Sequence, residues 1–218
     1  MAQARIFGPV ISTHVRIVEI VCEEAGITHQ VVPTPAQSPQ NRHPFGKVPV
    51  VELDGLELSE TAAIARYIDT AHNRGALQPQ DPKLRYVMDH WIAVNDSYLF
   101  PLFEHGLIMP YIMHRHAGAP LDQARIERAL PNIAKSLEFL ELELAKDGAW
   151  SRAWGTGAGA AQAGICLADI FLYVTLLGLR STPEGREGLA QCDHLSAWMA
   201  IIEARPSVLA TRWEFERG

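Results

Sequence analysis

Three short segments of the chain place polar groups where they can bind a charged small molecule. The first is Ser12-Thr13-His14, which follows a short apolar run and opens a helical pattern. Free amide groups and the positive end of the helix dipole favour an anion at such a helix N-terminus. The Ser12 hydroxyl can therefore donate a hydrogen bond to a thiolate that belongs to a ligand. The alternative is an ordinary N-cap serine, which the same position also predicts.

The second segment, Lys47-Val48-Pro49, opens a predicted strand. Proline has no N–H to donate to a sheet and is typical of the first residue of a strand. A cis Val48–Pro49 bond would leave the amide and carbonyl of Val48 available to an extended peptide ligand. A trans proline at a strand edge is the alternative, and the residues alone favour it.

The third segment, Ser59-Glu60-Thr61, begins a predicted helix directly after a strand. The backbone N–H groups and the Thr61 hydroxyl can bind a carboxylate, while Glu60 can bind an ammonium group. A ligand that carries both groups on one carbon, as an amino acid does, would satisfy both. The alternative is a simple helix cap with an acidic residue in its first turn.

The elements that must position these segments alternate between strand and helix. Apolar runs predict strands over residues 5–8, 27–32, 48–53 and 56–58, with Asp54-Gly55 as a hairpin turn. Helical periodicity predicts helices over residues 14–25 and 59–71. The order is β-α-β, an irregular stretch and then β-β-α, which predicts a small α/β layer with a mixed sheet.

The rest of the chain is predicted to be helical. Residues 73–82 are polar with two prolines, as in a linker, and helical patterns then cover residues 83–116, 121–146, 167–179, 184–191 and 194–204. Pro101, Pro110 and Pro131 interrupt these patterns and are expected to kink the helices. We therefore predict an α/β domain over residues 1–76, a linker over 77–82 and an all-α bundle over 83–218.

The composition excludes several classes of protein. The chain has 218 residues, 48% of them hydrophobic, which suits one large or two small packed domains rather than a disordered chain. A formal charge of −6 without a dense basic run argues against binding to nucleic acid or to an anionic membrane surface. No apolar stretch reaches the roughly 20 residues of a membrane helix. The first residues, MAQARIFGPV, lack the pattern of a secretory signal.

Three further features favour structural interpretations. The cysteines, Cys22, Cys166 and Cys192, form no CxxC motif, which suits a reducing cytoplasm and argues against a disulfide framework or a zinc site. Residues 155–160 (GTGAGA) match a dinucleotide-binding pattern but follow no strand, so a flexible insertion is the better account. Asp169 is expected to cap a helix by accepting the Cys166 amide, without the usual Ser or Thr hydroxyl at the cap.

The motifs FGPVISTHVRIV, HPFGKVPVVELDGLELSETAAIARYID and HLSAWMAIIEARPSV, in this order and spacing, resemble cytosolic glutathione S-transferases over nearly the whole chain. The resemblance implies a thioredoxin-like N-terminal domain, an all-helical C-terminal domain and a homodimer. Other members carry Tyr at the end of the first strand, where this chain has Phe7, or Cys at the start of the first helix, where it has Ser12. The chain thus resembles the serine-type group, which is phi- and theta-like and includes many bacterial members.

The resemblance also implies how glutathione binds. Val48, next to a cis Pro49, pairs through its backbone with the cysteinyl part, Glu60 and Thr61 bind the γ-glutamyl end, and Lys47 approaches the glycyl carboxylate. These are the positions at which the residues themselves predict an amino-acid head, a peptide backbone and a carboxylate to bind.

The implied catalytic residue is Ser12, with Thr13 as a neighbouring hydroxyl that can replace it. Arg16, one turn later, supports the site electrostatically or lies on the surface. The family usually shows Asn-Pro where this chain has His43-Pro44, so Arg42 and His43 are candidate contacts on an irregular stretch. Asp96 is a solvated or capping acid, or reaches the glutathione amine of a partner subunit.

The expected function is transfer of glutathione, as a co-substrate, to a hydrophobic electrophile for which the helical domain contributes the site. The resemblance implies a cytoplasmic detoxification enzyme that needs no metal or redox cofactor. One alternative is a carrier or protein-interaction module that binds glutathione without using it. Another is a glutathione-dependent isomerase or dehalogenase, for which the same thiolate serves.

Overall fold

A computed structural model describes residues 3–146, 164–213 and 216 of the chain. It divides into two compact units, one of Met1–Pro79 with Glu203–Gly218 and one of Gln80–Ile202. The C-terminal segment therefore groups with the first unit, whereas the sequence analysis assigned it to the helical domain. The glycine-rich stretch 155–160 lies outside the described residues.

The sheet of the first unit has four strands, β1 (Gln3–Phe7), β2 (Thr28–Val32), β3 (Val50–Leu53) and β4 (Leu56–Leu58). They lie in the order β2-β1-β3-β4. Strand β2 runs parallel to β1, while β3 is antiparallel to both β1 and β4. This confirms the predicted thioredoxin-like mixed sheet. Strand β3 begins two residues later than predicted, because Pro49 has no N–H to pair.

Two helices belong to this layer, α1 (Thr13–Glu24) and α2 (Thr61–His72). Their apolar residues recur at helical spacing, and the side chains of Ile17, Val21, Ile64 and Ile68 are fully buried. Helix α1 ends at Glu24, and Gly26, two residues later, adopts φ 66° as a left-handed terminator. The helices thus form one apolar layer that fixes where the ends of the strands lie.

The regular elements in the described part of the second unit are all helices, as predicted. Its helices are α3 (Pro82–Val94), α4 (Phe100–Phe103), α5 (Met109–Ala117), α6 (Gln123–Ala145), α7 (Leu167–Arg180), α8 (Pro183–Leu189) and α9 (Asp193–Glu203). Asp81 caps α3 through bonds from the Lys83 and Leu84 amides, with Pro82 at the first helical position. Helix α6 continues through Pro131. None of the helices described is long and apolar enough to cross a membrane.

Two π-helical turns lie directly before Pro101 and Pro110, where the sequence predicts departures from a regular α-helix. They cover Asn95–Leu99 and Glu104–Ile108, and each proline follows within the first two residues of the next short α-helix. Each π-turn has hydrogen bonds between residues five apart, so it holds one residue more than an α-helical turn. The chain therefore stays helical from α3 to α5.

The π-turns explain the burial pattern of this long helical stretch. Trp91, Asn95, Leu99, Phe103 and Leu107 are buried and recur every four residues. In a regular α-helix, that spacing would rotate away from one face by about 40° per step. Two inserted residues offset the drift, so all five side chains face the same core.

Helix α7 is the most completely buried element of the second unit. Of its residues, Leu167–Leu179 are all buried. Asp169 accepts the Cys166 amide at 2.7 Å, which confirms its predicted capping role, and also the Trp198 indole N–H at 3.1 Å. No local pattern predicts the second bond, because Trp198 lies on α9.

The C-terminal segment of the first unit, with helix α10 (Pro206–Ala210), packs against α1. The Arg16 guanidinium is fully buried, donates to the Glu216 carboxylate and the Val208 carbonyl, and lies 4.6 Å from the centre of the Trp213 ring. The interpretation of Arg16 as a surface residue is therefore wrong. A residue 200 positions away supplies its counter-charge, and no local pattern predicts such a contact.

Candidate functional site

The sheet topology brings the three polar segments to one edge. Strand β1 ends at Phe7, five residues before Ser12, and Phe7 pairs with Val50 at the start of the antiparallel β3. Strand β4 runs antiparallel to β3 and ends at Leu58, two residues before Glu60. The C-terminal ends of β1 and β4 and the N-terminal end of β3 therefore share an edge.

Gly8 allows the backbone segments at this edge to approach each other. A Cβ atom there would overlap the Val15 Cγ2 atom in the first turns of α1 and lie 3.4 Å from the Val48 Cβ atom. A side chain at position 8 would therefore displace the Val15 side chain and would come into contact with that of Val48. Gly8 was not among the predicted site residues, although a glycine directly after a strand is a signal of close backbone approach.

The Val48–Pro49 bond is cis, as the resemblance implies and against the expectation from the residues alone. Val48 is half-buried, and neither its amide nor its carbonyl bonds to any described residue. The Asn41 side-chain amide holds the segment by donating to the Ala36 carbonyl at 2.8 Å and the Lys47 carbonyl at 3.0 Å. Asn41 was not predicted as a site residue; an Asn in an irregular stretch is the signal that could have identified it.

Ser12 is half-buried and occupies the N-cap of α1. Its hydroxyl oxygen accepts the Val15 N–H at 3.4 Å, a long and weak bond, and its own proton has no acceptor among the described residues. The first turn of α1 contains no acidic residue. This N-terminus therefore offers an O–H donor and a positive dipole without a carboxylate of the chain to compensate them.

Glu60 adopts φ 67°, a conformation that costs a non-glycine residue about 1–3 kcal/mol. It precedes α2 without capping the helix, and its side chain is 69% exposed. Thr61 is buried at the first helical position, and its hydroxyl bonds to no other described residue. An acid held in a strained backbone beside a hydroxyl and a helix N-terminus can bind the two charged groups of an amino acid.

Other candidates have structural partners. Arg42 pairs with Glu52 at 2.6 Å and Glu57 at 2.7 Å, and its guanidinium lies 4.3 Å from the Phe7 ring centre. The Arg42 hydrogen bond holds the pKa of Glu52 below its ordinary value. Asp96 is half-buried in a π-turn and accepts the Asn95 side-chain amide at 3.0 Å.

Lys47 and Thr13 complete the predicted set. Lys47 is exposed directly before Val48, so its ammonium group can reach the tail of a ligand paired with Val48. Thr13 is buried, with 8% of its surface exposed, whereas Ser12 is half-buried. Of the two hydroxyl residues, Ser12 is therefore the more accessible to a ligand.

The cysteines of the chain do not supply a thiolate. Burial raises the pKa of Cys22 to about 12, with Glu19 and Glu23 adding to the effect. Burial likewise raises the pKa values of Cys166 and Cys192. Within the described ranges, no group of three His, Cys, Asp or Glu side chains could hold a metal ion. A reactive sulfur at this site must come from a ligand.

Comparison with known proteins agrees with this geometry. Residues 7–79 match the family model of the glutathione S-transferase N-terminal domain. A probable glutathione S-transferase of rice (Oryza sativa subsp. japonica) is 28% identical over 214 residues, which cover 95% of this chain and 94% of the relative.

Solved structures extend the similarity to both units. Glutathione S-transferase I from maize, in complex with an atrazine glutathione conjugate, is 27% identical with a TM-score of 0.74 and covers 95% of each chain. Glutathione transferase F7 from Populus trichocarpa has a TM-score of 0.79 at 21% identity, and the match covers 95% of this chain and 97% of that one. At this identity, the similarity supports a shared fold and nothing further.

Proposed function

The chain belongs to the glutathione S-transferase family, and on that premise we propose that it conjugates glutathione to hydrophobic electrophiles as a serine-type, phi-like enzyme. One observation carries the proposal. A hydroxyl donor, a free backbone amide and carbonyl, and an acid beside a helix N-terminus share one sheet edge. Glutathione has a complementary group for each of them.

Glutathione would extend along this edge. Its cysteinyl backbone would pair with Val48, which has hydrogen-bonding groups without partners among the described residues. The γ-glutamyl ammonium would bind Glu60, and the γ-glutamyl carboxylate would bind at Thr61 and the start of α2. The glycyl carboxylate would reach Lys47. These contacts involve each residue that the family resemblance implies for the backbone and the two ends of glutathione.

The reaction requires a nucleophile at neutral pH. The Ser12 hydroxyl and the N-terminus of α1 would stabilise the thiolate of glutathione, because both favour negative charge at the sulfur. The thiol proton goes to solvent, the sulfur forms a bond to carbon, and the leaving group departs with its electron pair. The helical unit would supply the apolar site for the electrophile.

We further propose a homodimeric enzyme of the cytoplasm that acts in detoxification. The maize relative was solved with a conjugate of atrazine, a hydrophobic chlorinated compound, which supports a role in removing such electrophiles. The free cysteines Cys22, Cys166 and Cys192 suit a reducing compartment. Size measurement in solution tests the dimer independently of the chemistry.

The decisive experiment combines binding with turnover. We expect calorimetry to show binding of glutathione, and we expect the protein to accelerate chloride displacement from chlorodinitrobenzene by glutathione above the uncatalysed rate. Binding without turnover of any halide, epoxide or isomerisable substrate would support a carrier in place of an enzyme. If glutathione does not bind at all, the proposal is wrong.

A further inference from the structure

His43 is a buried imidazole in the loop that carries Lys47 and Val48. Only 3% of its side chain is exposed, although the loop residues around it are largely open to solvent. Its backbone N–H donates to the Asn41 side chain at 3.0 Å, and its carbonyl accepts the Gly46 N–H at 3.0 Å. A buried histidine in an exposed loop needs a reason beyond apolar packing, because its ring nitrogens lose solvent.

The hydrogen bonds of the ring determine which nitrogen carries the proton. Nδ1 of His43 accepts the Phe45 backbone N–H at 3.1 Å, so the neutral imidazole bears its proton on Nε2. Nε2 lies 3.5 Å from the Glu60 Oε1 atom. The N–H donor therefore faces the carboxylate that the proposed function assigns to the ammonium group of glutathione.

Glu60 has few other constraints on its side chain. The carboxylate does not cap α2, is largely exposed, and belongs to a residue whose backbone is strained at φ 67°. Among the described residues, the buried His43 imidazole is the group beside this carboxylate, and the large exposed fraction of the Glu60 side chain leaves it open to a ligand. A distance of 3.5 Å is longer than a full hydrogen bond, and such contacts commonly tighten when a ligand binds.

We propose that His43 is a positioning residue that holds the Glu60 carboxylate in place to receive the γ-glutamyl ammonium group. The inference rests on the proposed function and deepens it. A neutral imidazole suits this task, because it donates a hydrogen bond without cancelling the negative charge that attracts the ammonium. The Asn41 side chain also connects His43 to the Lys47 segment of the site. It accepts the His43 backbone N–H and donates to the Lys47 carbonyl.

Two substitutions separate the two ring nitrogens. His43→Asn keeps an oxygen near the Nδ1 position, so the Phe45 amide retains an acceptor, but nothing reaches Glu60. His43→Gln places a side-chain amide near the Nε2 position and can donate to Glu60. Weaker ligand binding by His43→Asn and restored binding by His43→Gln would assign the effect to the contact with Glu60 rather than to loop structure.

The experiment measures binding by calorimetry with two ligands. These are S-methylglutathione and the same compound with hydrogen in place of the γ-glutamyl amine. We expect His43→Asn to weaken binding of S-methylglutathione about 5-fold, the effect of one hydrogen bond, while binding of the deaminated ligand changes little. His43→Gln should recover most of the loss. In a Glu60→Gln background, His43→Asn should have no further effect.

Each contrary result has a distinct meaning. Equal weakening of both ligands in His43→Asn would overturn the inference and leave His43 as a structural residue of the loop. Unchanged affinity in that variant would overturn it as well, while glutathione binding by the wild type would still stand. If the wild type binds neither ligand, the proposed function fails first and the inference fails with it.

Discussion

Helices α1 and α7 both begin after an extended residue with a short side chain, Ser12 in one and Cys166 in the other. In α7, the third helical residue is Asp169, whose carboxylate accepts the Cys166 amide at 2.7 Å. In α1, the first turn has no acidic residue, and the Ser12 oxygen makes one long bond. The chain supplies the anion for one helix N-terminus and leaves the other without one.

The difference explains why one N-terminus is structural and the other is a candidate site. Cys166 and Asp169 are buried, so their groups must be satisfied within the protein. Ser12 is half-buried and accessible to a ligand whose anion can take the place of a side-chain carboxylate. The location of the negative charge, inside the chain or on a ligand, thus distinguishes the two helices.

The largest expected effect is at the N-terminus of α7, which the Asp169 carboxylate caps. Asp169→Ala leaves the Cys166 N–H and the Trp198 indole N–H without this acceptor, and each loss costs about 1–3 kcal/mol. We expect the free energy of unfolding, measured in urea, to fall by about 3 kcal/mol or more. Asp169→Asn is the matched control and should lose less, because its amide oxygen can still accept one bond. Equal stability of wild type and Asp169→Ala would contradict the account of α7.

At the N-terminus of α1, which has no acidic residue in its first turn, we expect a loss of activity rather than of stability. Ser12→Ala should lower kcat/KM for glutathione conjugation about 100-fold, as the loss of one donor to a developing anion does. Its free energy of unfolding should fall by no more than about 1 kcal/mol, because the bond to the Val15 amide is long. Ser12→Thr and Thr13→Ala are the controls, and both should retain far more activity. Unchanged kcat/KM in Ser12→Ala would assign Ser12 to helix capping alone.

The opposite end of α1 adds a test by pH. Burial alone would raise the pKa of Glu24, but hydrogen bonds from Arg205 and Ser207 outweigh it and hold that pKa below its ordinary value. The stability from this group is therefore present above the unfolded pKa and is lost as pH falls through the folded one. We expect Glu24→Gln to be less stable than wild type by about 1–2 kcal/mol at neutral pH.

That difference should disappear in acid, where Glu24 is protonated in the wild type too. Urea unfolding of both proteins from neutral pH down to about pH 2, well below the ordinary glutamate pKa of about 4.3, follows the loss through the lowered Glu24 pKa. A stability difference that stays constant with pH would show that the carboxylate charge is not what Arg205 stabilises.

The smallest effect comes from making the cap of α7 resemble that of α1. The Cys166 sulfur, a weak acceptor, already accepts the Asp169 backbone N–H. Cys166→Ser replaces it with a stronger hydroxyl acceptor, and we expect a gain of about 0.5 kcal/mol in the free energy of unfolding. Cys166→Ala provides no such acceptor and should not gain stability. Equal stability of the two variants would mean that Asp169 alone determines capping at this helix.

The sequence predicts much of the fold because its local patterns agree with the tertiary structure. Alternating apolar runs predicted all four strands, and the Cys166–Asp169 spacing predicted the cap of α7. Position 49 shows a limit, because the residues alone favour a trans bond and only the family resemblance implied the cis bond that the structure has. Arg16 shows another limit, since its burial depends on Trp213 and Glu216.

Some features of the candidate site were predicted from the sequence and others were missed, for the same reason. Ser12, Glu60 and Thr61 lie at element boundaries that motifs identify. Gly8 was missed because its role depends on how closely Val15 and Val48 approach. The contact between His43 and Glu60 joins separate segments, and the position of the imidazole becomes evident only when the loop is folded.

The most direct test of the central claim is ultraviolet difference absorption of bound glutathione near the thiolate band, measured across pH. We predict that wild type shows a thiolate signal at neutral pH, because Ser12 and the N-terminus of α1 lower the thiol pKa from its ordinary value of about 8.5. Ser12→Ala should bind glutathione without that signal. If glutathione bound to the wild type stays a thiol at neutral pH, or if both proteins titrate alike, the assignment of Ser12 as the thiolate donor is contradicted.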